Sequence, residues 1–276
     1  MTPLPRLTLV TPSYNQAAYL ERTIRSVIDQ DYPALQYLIL DGGSTDGSVE
    51  IIRRYERYLD GWVSQPDGGQ SDAINQGFAR ADGEIMTWLN SDDVLLPGAL
   101  RLAGEIFARW PEIAWLTGQP ANLDVSDHLR RSPLRVGRFR SLIRRGWYHG
   151  RGLGFIRQEG TFWRRSLWDQ AGGHIAVARR YAMDFELWGR LAAHADLVSV
   201  DVPLAAFRVQ PQQKTALIDR YYAEAGITLP HAARLVMLPL RALFTLATWP
   251  LAPRVLTAGG LLRFRPGPTF RSSPHP

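Results

Sequence analysis

"MTWLNSDDVLLPGAL" (Met86–Leu100) decides how this chain is read. An apolar run stops at Leu89, two adjacent carboxylates (Asp92 and Asp93) follow at once, and a Pro-started apolar helical pattern comes next. Two like charges side by side where a buried strand ends repel unless water or a cation offsets them. Hard oxygen ligands of this kind select Mg2+ or Mn2+, ions that bridge one or two carboxylates to substrate phosphates. The competing reading is a solvated turn with Asp93 capping the next helix, and the stretch taken alone favours it.

The flanking sequence changes that balance. Short apolar runs alternate with amphipathic helical ones through the first half. Strands are expected at Leu7–Val10, Tyr37–Leu40, Trp62–Ser64, Glu84–Leu89 and Ile113–Gly118. Between them, Ala18–Gln30 carries apolar residues at helical spacing, Ser48 is placed to cap a helix over 49–59, Ser71–Arg80 is helical, and Pro97 opens a helix to about Trp110. Such alternation predicts a mostly parallel α/β sheet with helices on both faces, and in open sheets of that type ligands sit at the carboxyl ends of the strands. Four strands run into polar or glycine-rich loops: "TPSYN", "DGGSTDGS", "QPDGGQSD" and "NSDD". If the strands are parallel, all four loops share one edge. The glycines before the Ser71 helix offer free backbone N–H groups to negative charge. Neither G-x-x-x-x-G-K-[ST] nor G-x-G-x-x-G occurs, so metal plus backbone is the better phosphate cradle. After Asn122 the regularity fades, with strand-like pieces at 160–165, 197–200 and 204–209 and helices at Ser166–Gln170, Asp184–His194 and Gln212–Glu224.

The composition, 45% hydrophobic and 21% charged, is that of a soluble globular protein. The absence of cysteine excludes disulfides and thiolate metal sites, and suits a cytoplasmic setting. No signal peptide is read in "MTPLPRLTLV". The net charge of +6 is unevenly placed: residues 225–276 hold six arginines and no acid, so the remainder is formally neutral. A second acid-free zone, Leu129–Arg151, holds eight arginines. A nucleic-acid partner is not expected.

"TPSYNQAAYLERTIRSVIDQDYP", "LILDGGSTDGSVEII", "QPDGGQSDAINQGFARADGEIMTWLNSDD", "QEGTFWRRSLWDQAGG" and "YAMDFELWGRLA" together resemble the inverting family 2 glycosyltransferases of the GT-A fold. The resemblance covers roughly Leu7 to Thr215 and rests on five ordered segments. It implies transfer of one sugar from a nucleoside-diphosphate sugar to a hydroxyl acceptor, a glycan or lipid-linked saccharide, in polysaccharide biosynthesis of the cell envelope. Asn90, Ser91 and Asp92 match the aspartate-rich motif, with Asn90 replacing its first aspartate. Asp92 then falls on the metal ligand for Mn2+ or Mg2+, with Asp93 as its neighbour at the metal. Pro12 and Tyr14 match the wall of the nucleobase and ribose. Asp41 matches the first aspartate of the usual Asp-Asp-Gly-Ser stretch, and Gly42 replaces the second, which puts base selectivity in doubt. Asp67, Gln70 and Asp72 line up with the loop that touches nucleotide or donor sugar, although Asp72 reads equally as a first-turn helix acid. Asp184 falls on the catalytic base, with Met183 replacing the preceding glutamate; the plain alternative is an N-cap. Gln210 stands where relatives often carry a histidine near the diphosphate. His149 and His174 are open to an acceptor role or to ordinary packing. The Gln-x-x-Arg-Trp pattern of processive synthases is absent, so single transfer is expected.

Three regions follow from this reading. Residues 1–120 form the nucleotide-sugar half, 121–225 the acceptor and catalytic-base half, and 226–276 a basic, apolar, helical tail dispensable for the catalytic fold. The tail's prolines and Arg241 argue against a spanning helix and for a peripheral place at the inner face of an anionic membrane, or for packing on its own domain. Two rival functions remain at this point. A sugar-1-phosphate nucleotidylyltransferase would share fold and metal, but usually carries an N-terminal Gly-rich stretch with Arg and Lys that "TPSYNQAAYL" lacks. A non-catalytic nucleotide-sugar-binding protein would have no need of both Asp92 and Asp184.

Overall fold

The structure, a computed structural model, describes residues 3–132, 135–210, 213, 217–228, 230, 233–258 and 261–267. The first half is a run of strand–helix units: β1 Leu7–Ser13, α1 Ala17–Ile28, β2 Leu35–Asp41, α2 Ser48–Tyr55, β3 Gly61–Ser64, α3 Gln70–Ala79 and β4 Ile85–Trp88. A two-residue strand β5 (Val94–Leu95) precedes α4 (Ala99–Arg109), β6 (Trp115–Thr117), β7 (Ala121–Leu123) and β8 (Leu129–Arg131). The second half adds α5 Arg140–Arg144, β9 Thr161–Arg164, α6 Arg165–Gln170, α7 Met183–His194, β10 Leu197–Val200, β11 Ala205–Arg208 and α8 Ile218–Glu224. It closes with α9 Ala233–Thr248, β12 Arg254–Ala258 and β13 Leu261–Arg265.

One large sheet runs β13-β12-β10-β6-β9-β4-β1-β2-β3, and a small one runs β5-β11-β7-β8. β4, β1, β2 and β3 are mutually parallel, so the four polar loops do share an edge. β9 is antiparallel between β4 and β6, while β6, β10 and β12 are parallel. Strand alternation sorts the core into two layers. Leu7, Leu9, Tyr37 and Ile39 meet α1, α2 and α4 on one face, and Val10, Leu38, Leu40, Met86 and Trp88 meet α3, α6 and α7 on the other. Helix α3 lies so close to β1 that a Cβ on Gly77 would stand 2.5 Å from Val10 Cγ1.

Several local expectations are corrected. Ser48 is the first helical residue rather than the cap; the carboxylate of Asp46 accepts its N–H at 3.0 Å, and Gly47 supplies the left-handed turn. The α4 helix starts two residues after Pro97, because Val94–Leu95 pairs with β11 first. Of the helix expected over 212–224, the described portion is Ile218–Glu224, and 211–212 and 214–216 lie outside the described residues. The tail is not helical throughout: its hairpin extends the large sheet, with Ala252 and Val255 fully buried. Among the described residues no helix is long and apolar enough to cross a membrane.

Candidate active site

The loop after β4 is held from three sides. Gln70 Nε2, on the first residue of α3, donates to Asn90 Oδ1 at 2.6 Å, and Asn90 Nδ2 donates to Asp93 Oδ2 at 3.2 Å. Arg208 N donates to Asp93 Oδ1 at 2.9 Å, and Thr23 Oγ1 donates to the Asp93 carbonyl at 2.7 Å. Asp93 is 0% exposed, so the adjacent carboxylates do not face a common ligand. This departs from the expectation of a metal-side pair: Asp93 turns inward because β11 offers its backbone amide there. Nor does Asp93 cap α4, whose N-cap is Gly98. Burial first, then the charges of Asp92 and Glu159, push its carboxyl well above the usual range. Asp92 is only half-buried and stays at the loop edge, where Gln210 Nε2 donates to its Oδ2 at 3.1 Å. Burial raises its pKa, and the Gln210 bond opposes that rise. Arg208 braces the same loop, donating from Nε to the Asp92 carbonyl at 2.8 Å and from Nη1 to Asp127 at 2.5 Å. Ser91 is buried between them.

On the neighbouring strand ends, Asp41 is buried and saturated: Ser44 N and Oγ, Gly43 N and Ser64 Oγ all donate to it. It holds the loop turn instead of pointing at a ligand. Pro12 lies buried one residue before the end of β1, and Tyr14 projects 62% exposed. A Cβ on Gly42 would meet the Asp67 carboxylate and the Tyr14 ring, each at 3.3 Å, so Tyr14, Gly42 and Asp67 surround one small space. Asp67 is half-buried, with its pKa raised by burial and by the charges of Asp72 and Asp41. Asp72 folds back on its own loop, accepting from Gly68 N and Gln76 Nε2, both at 2.9 Å.

The remaining wall comes from α7. Ser71 Oγ, at the start of α3, sits 2.9 Å from Met183 Sδ, which brings the neighbouring Asp184 to the edge already holding Gln70 and Asn90. Asp184 is the second residue of α7, and its carboxylate accepts the adjacent Phe185 N–H at 2.8 Å. The N-cap alternative is set aside, because the N-cap of α7 is Ala182; the Glu224 carboxylate of α8 holds the chain entering the helix, accepting Tyr181 N at 2.7 Å, Ala182 N at 3.0 Å and Arg180 N at 3.2 Å. Burial raises the Asp184 pKa to about 6, and Glu159 adds to the rise. The Tyr221 hydroxyl, itself pushed up by burial, feels the Asp184 charge. Glu159 is 3% exposed, lies electrostatically between Asp92, Asp93 and Asp184, and its Oε1 has no hydrogen-bond partner among the described residues. His149 packs edge-on to Phe185 and Tyr222, and His174 is a surface residue.

Sequence reading left Glu159, Arg208 and Glu224 without roles, and that of Gln210 open. Glu159 lay inside the "QEGTFWRRSLWDQAGG" stretch, and Gln210 stood where relatives often carry a histidine. Arg208 and Glu224 act through backbone groups and left no sequence signal.

The family model "Glycosyl transferase family 2" matches residues 8–181. An uncharacterized glycosyltransferase of Mycobacterium tuberculosis is 39% identical over 94 residues, 34% of this chain and 36% of that protein. A Campylobacter jejuni protein named GalNAc(5)-diNAcBac-PP-undecaprenol beta-1,3-glucosyltransferase is 30% identical over 105 residues, 35% of this chain and 33% of that protein. The matched segment spans about a third of the length of these curated relatives. Among solved structures, Staphylococcus aureus TarS 1–349 in complex with UDP-GlcNAc superposes with a TM-score of 0.62 at 13% identity, covering 98% of this chain and 99% of that one. The Pyrobaculum calidifontis mannosyltransferase in complex with GDP-Man and Mn2+ gives 0.59 at 20% identity, covering 89% and 74%. These neighbours share the GT-A fold, which is the fold of this protein. With its model matched over most of the α/β body, the chain belongs to glycosyl transferase family 2.

Proposed function

We propose that this protein transfers one sugar from a nucleoside-diphosphate sugar to a hydroxyl of a glycan or lipid-linked saccharide, with inversion. The observation that carries the reading is the meeting of four chain segments through three contacts: Gln70 with Asn90, Ser71 with Met183, and Gln210 with Asp92. These contacts support a reading in which Asp92 serves the diphosphate side and Asp184 the acceptor side. Asp184, whose carboxylate accepts the Phe185 N–H, takes the proton of the acceptor hydroxyl. The acceptor oxygen then forms the new bond to the anomeric carbon as the bond to the diphosphate breaks, and the electron pair leaves with the diphosphate. The pKa near 6 suits a base at neutral pH. Tyr14, Gly42 and Asp67 border the nucleobase and ribose, with Pro12 behind them.

A divalent cation, Mn2+ or Mg2+, fits the chemistry of the residues present. Asp92 offers a hard carboxylate oxygen at the loop edge, and among the described residues no group of three or more His, Asp or Glu could hold a metal by itself. The donor's phosphate oxygens would therefore complete the shell, with Gln210 orienting Asp92 and Asp93 fixing the loop. When bound, the ion offsets charge on the departing diphosphate. The Pyrobaculum calidifontis neighbour is described with Mn2+, and the Campylobacter jejuni relative is named for an undecaprenol-linked saccharide. Both support the reading, as does the basic tail for a peripheral place at the inner face of the membrane. Calorimetry with UDP and GDP, with Mn2+ and with chelator, tests the donor side. Affinity that requires both Mn2+ and Asp92 is expected; equal affinity with chelator, or in Asp92→Ala, would overturn the metal role.

A further inference from the structure

Helix α9 is built inside out. A surface helix normally turns its apolar stripe to the core and its polar face to water. Here Arg241, Thr245 and Thr248 share the inward face with Phe244. Thr245 is buried, Thr248 Oγ1 bonds the Phe244 carbonyl at 2.6 Å, the Arg241 guanidinium covers Gly154, and the Phe244 ring meets Phe139 at 6.2 Å. The opposite face carries Leu240, Leu243 and Leu246, 51%, 66% and 64% exposed, and Leu251 follows at 54%. Four exposed leucines on one short segment exceed the scattered apolar exposure ordinary for a protein surface.

We propose that this face is a docking surface for an anionic lipid bilayer, the leucines entering the interface while arginines of the same segment meet the headgroups. No acid occurs between 225 and 276, and Arg263 and Arg265 stand exposed on β13, beside exposed Leu261 on the same strand face. The basic α5 region adds exposed Arg144, Arg145 and Trp147. Apolar insertion beside unopposed positive charge is the signature of interfacial attachment to anionic lipid. A second copy of the chain fits less well, since a twofold contact through this face would bring its arginines against themselves. The proposal deepens the membrane element of the proposed function and rests on it for the setting alone.

The test is flotation of the full-length protein with vesicles of phosphatidylcholine alone and of phosphatidylcholine with phosphatidylglycerol. Binding to the anionic vesicles is expected, at least tenfold weaker for the Leu243→Ser/Leu246→Ser double variant, and weaker in high salt or in Arg263→Gln/Arg265→Gln. The leucine variant should keep the wild-type melting temperature and nucleotide affinity, because neither side chain touches the core or the site. Failure of wild-type protein to bind anionic vesicles, equal binding by the leucine variant, or a melting temperature lowered by the exchange would each overturn the proposal. A wild-type dimer in light scattering that the leucine variant abolishes would also overturn it, in favour of a second copy. Since flotation uses no donor or acceptor, its failure leaves the transfer chemistry standing, and loss of transfer leaves the lipid surface standing.

Discussion

As the proposed base, Asp184 would serve transfer at a cost to stability, and both effects are measurable in one substitution. Its carboxyl is held near pKa 6, mainly by burial, against an ordinary value near 3.8. An acid whose folded pKa is raised favours the folded state while protonated and opposes it once ionised. The penalty is therefore absent below about pH 4, grows through pH 4–6 and is full above about 6, where it reaches roughly 2–3 kcal/mol. Asp184→Asn should thus melt higher than wild type at pH 7.5, with the gain vanishing by pH 4, as thermal unfolding across that range would show. The same variant should keep donor affinity and lose transfer by about 10²–10⁴-fold. Near wild-type transfer would move the base elsewhere, and lost donor binding would put the residue against the donor. In wild type, transfer should fall as pH drops through about 6, with any bound cation shifting that limb lower. Asp93 shows what sequence could not say. Its identity was plain, but the direction of its side chain depends on the Arg208 amide, 115 residues away.

The helix that carries Asp184, the proposed base, is positioned by an element with no motif of its own. Glu224, on α8, gathers the backbone N–H groups of Arg180, Tyr181 and Ala182 at the entry to α7 and places a negative charge at its positive end. Glu224→Ala should cost about 0.5–2 kcal/mol in unfolding, as loss of a cap does. It should lower kcat more than it weakens donor binding, because the donor side is held by α3 and the β4 loop. Glu224→Gln, which keeps an acceptor oxygen, should recover part of the rate; equal loss in both variants would show that charge rather than geometry is at stake. This dependence was hidden because α8 follows a stretch without periodicity. The first four strands were legible for the opposite reason. β1, β2 and β4 are buried on both faces, and all four strands follow or precede a clear amphipathic helix and run into a polar or glycine-rich loop, so pattern, length and punctuation agree. The small sheet of β5, β11, β7 and β8 consists of strands two to four residues long, too short for a period to emerge.

The tail joins the two scales, since charge suggested a detachable membrane segment and topology shows a structural one. β12 pairs with β10 in parallel, Ser199 N donates to the Pro253 carbonyl at 2.9 Å, and Asp201 N donates to the Val255 carbonyl at 3.1 Å. Asp201 Oδ1 accepts both Thr257 N and Oγ1, and Val255 belongs to the same core layer as Leu7, Leu9 and Val200. The expectation that residues after Gly226 are dispensable is therefore corrected: the hairpin covers an edge of β10 that would otherwise present unpaired backbone to solvent. Truncation after residue 227 should give aggregated protein, or soluble protein that melts far lower and binds nucleotide poorly. Truncation after Gly267, which spares both strands, should melt as wild type. Solubility and melting curves of the pair decide the matter. A soluble short form with wild-type melting and nucleotide affinity would show that the sheet ends at β10 in practice. The expected result makes any membrane contact a property of the catalytic fold itself, with α9 held between α8 and the hairpin in sequence and anchored through Phe244 to the core layer of the α7 helix.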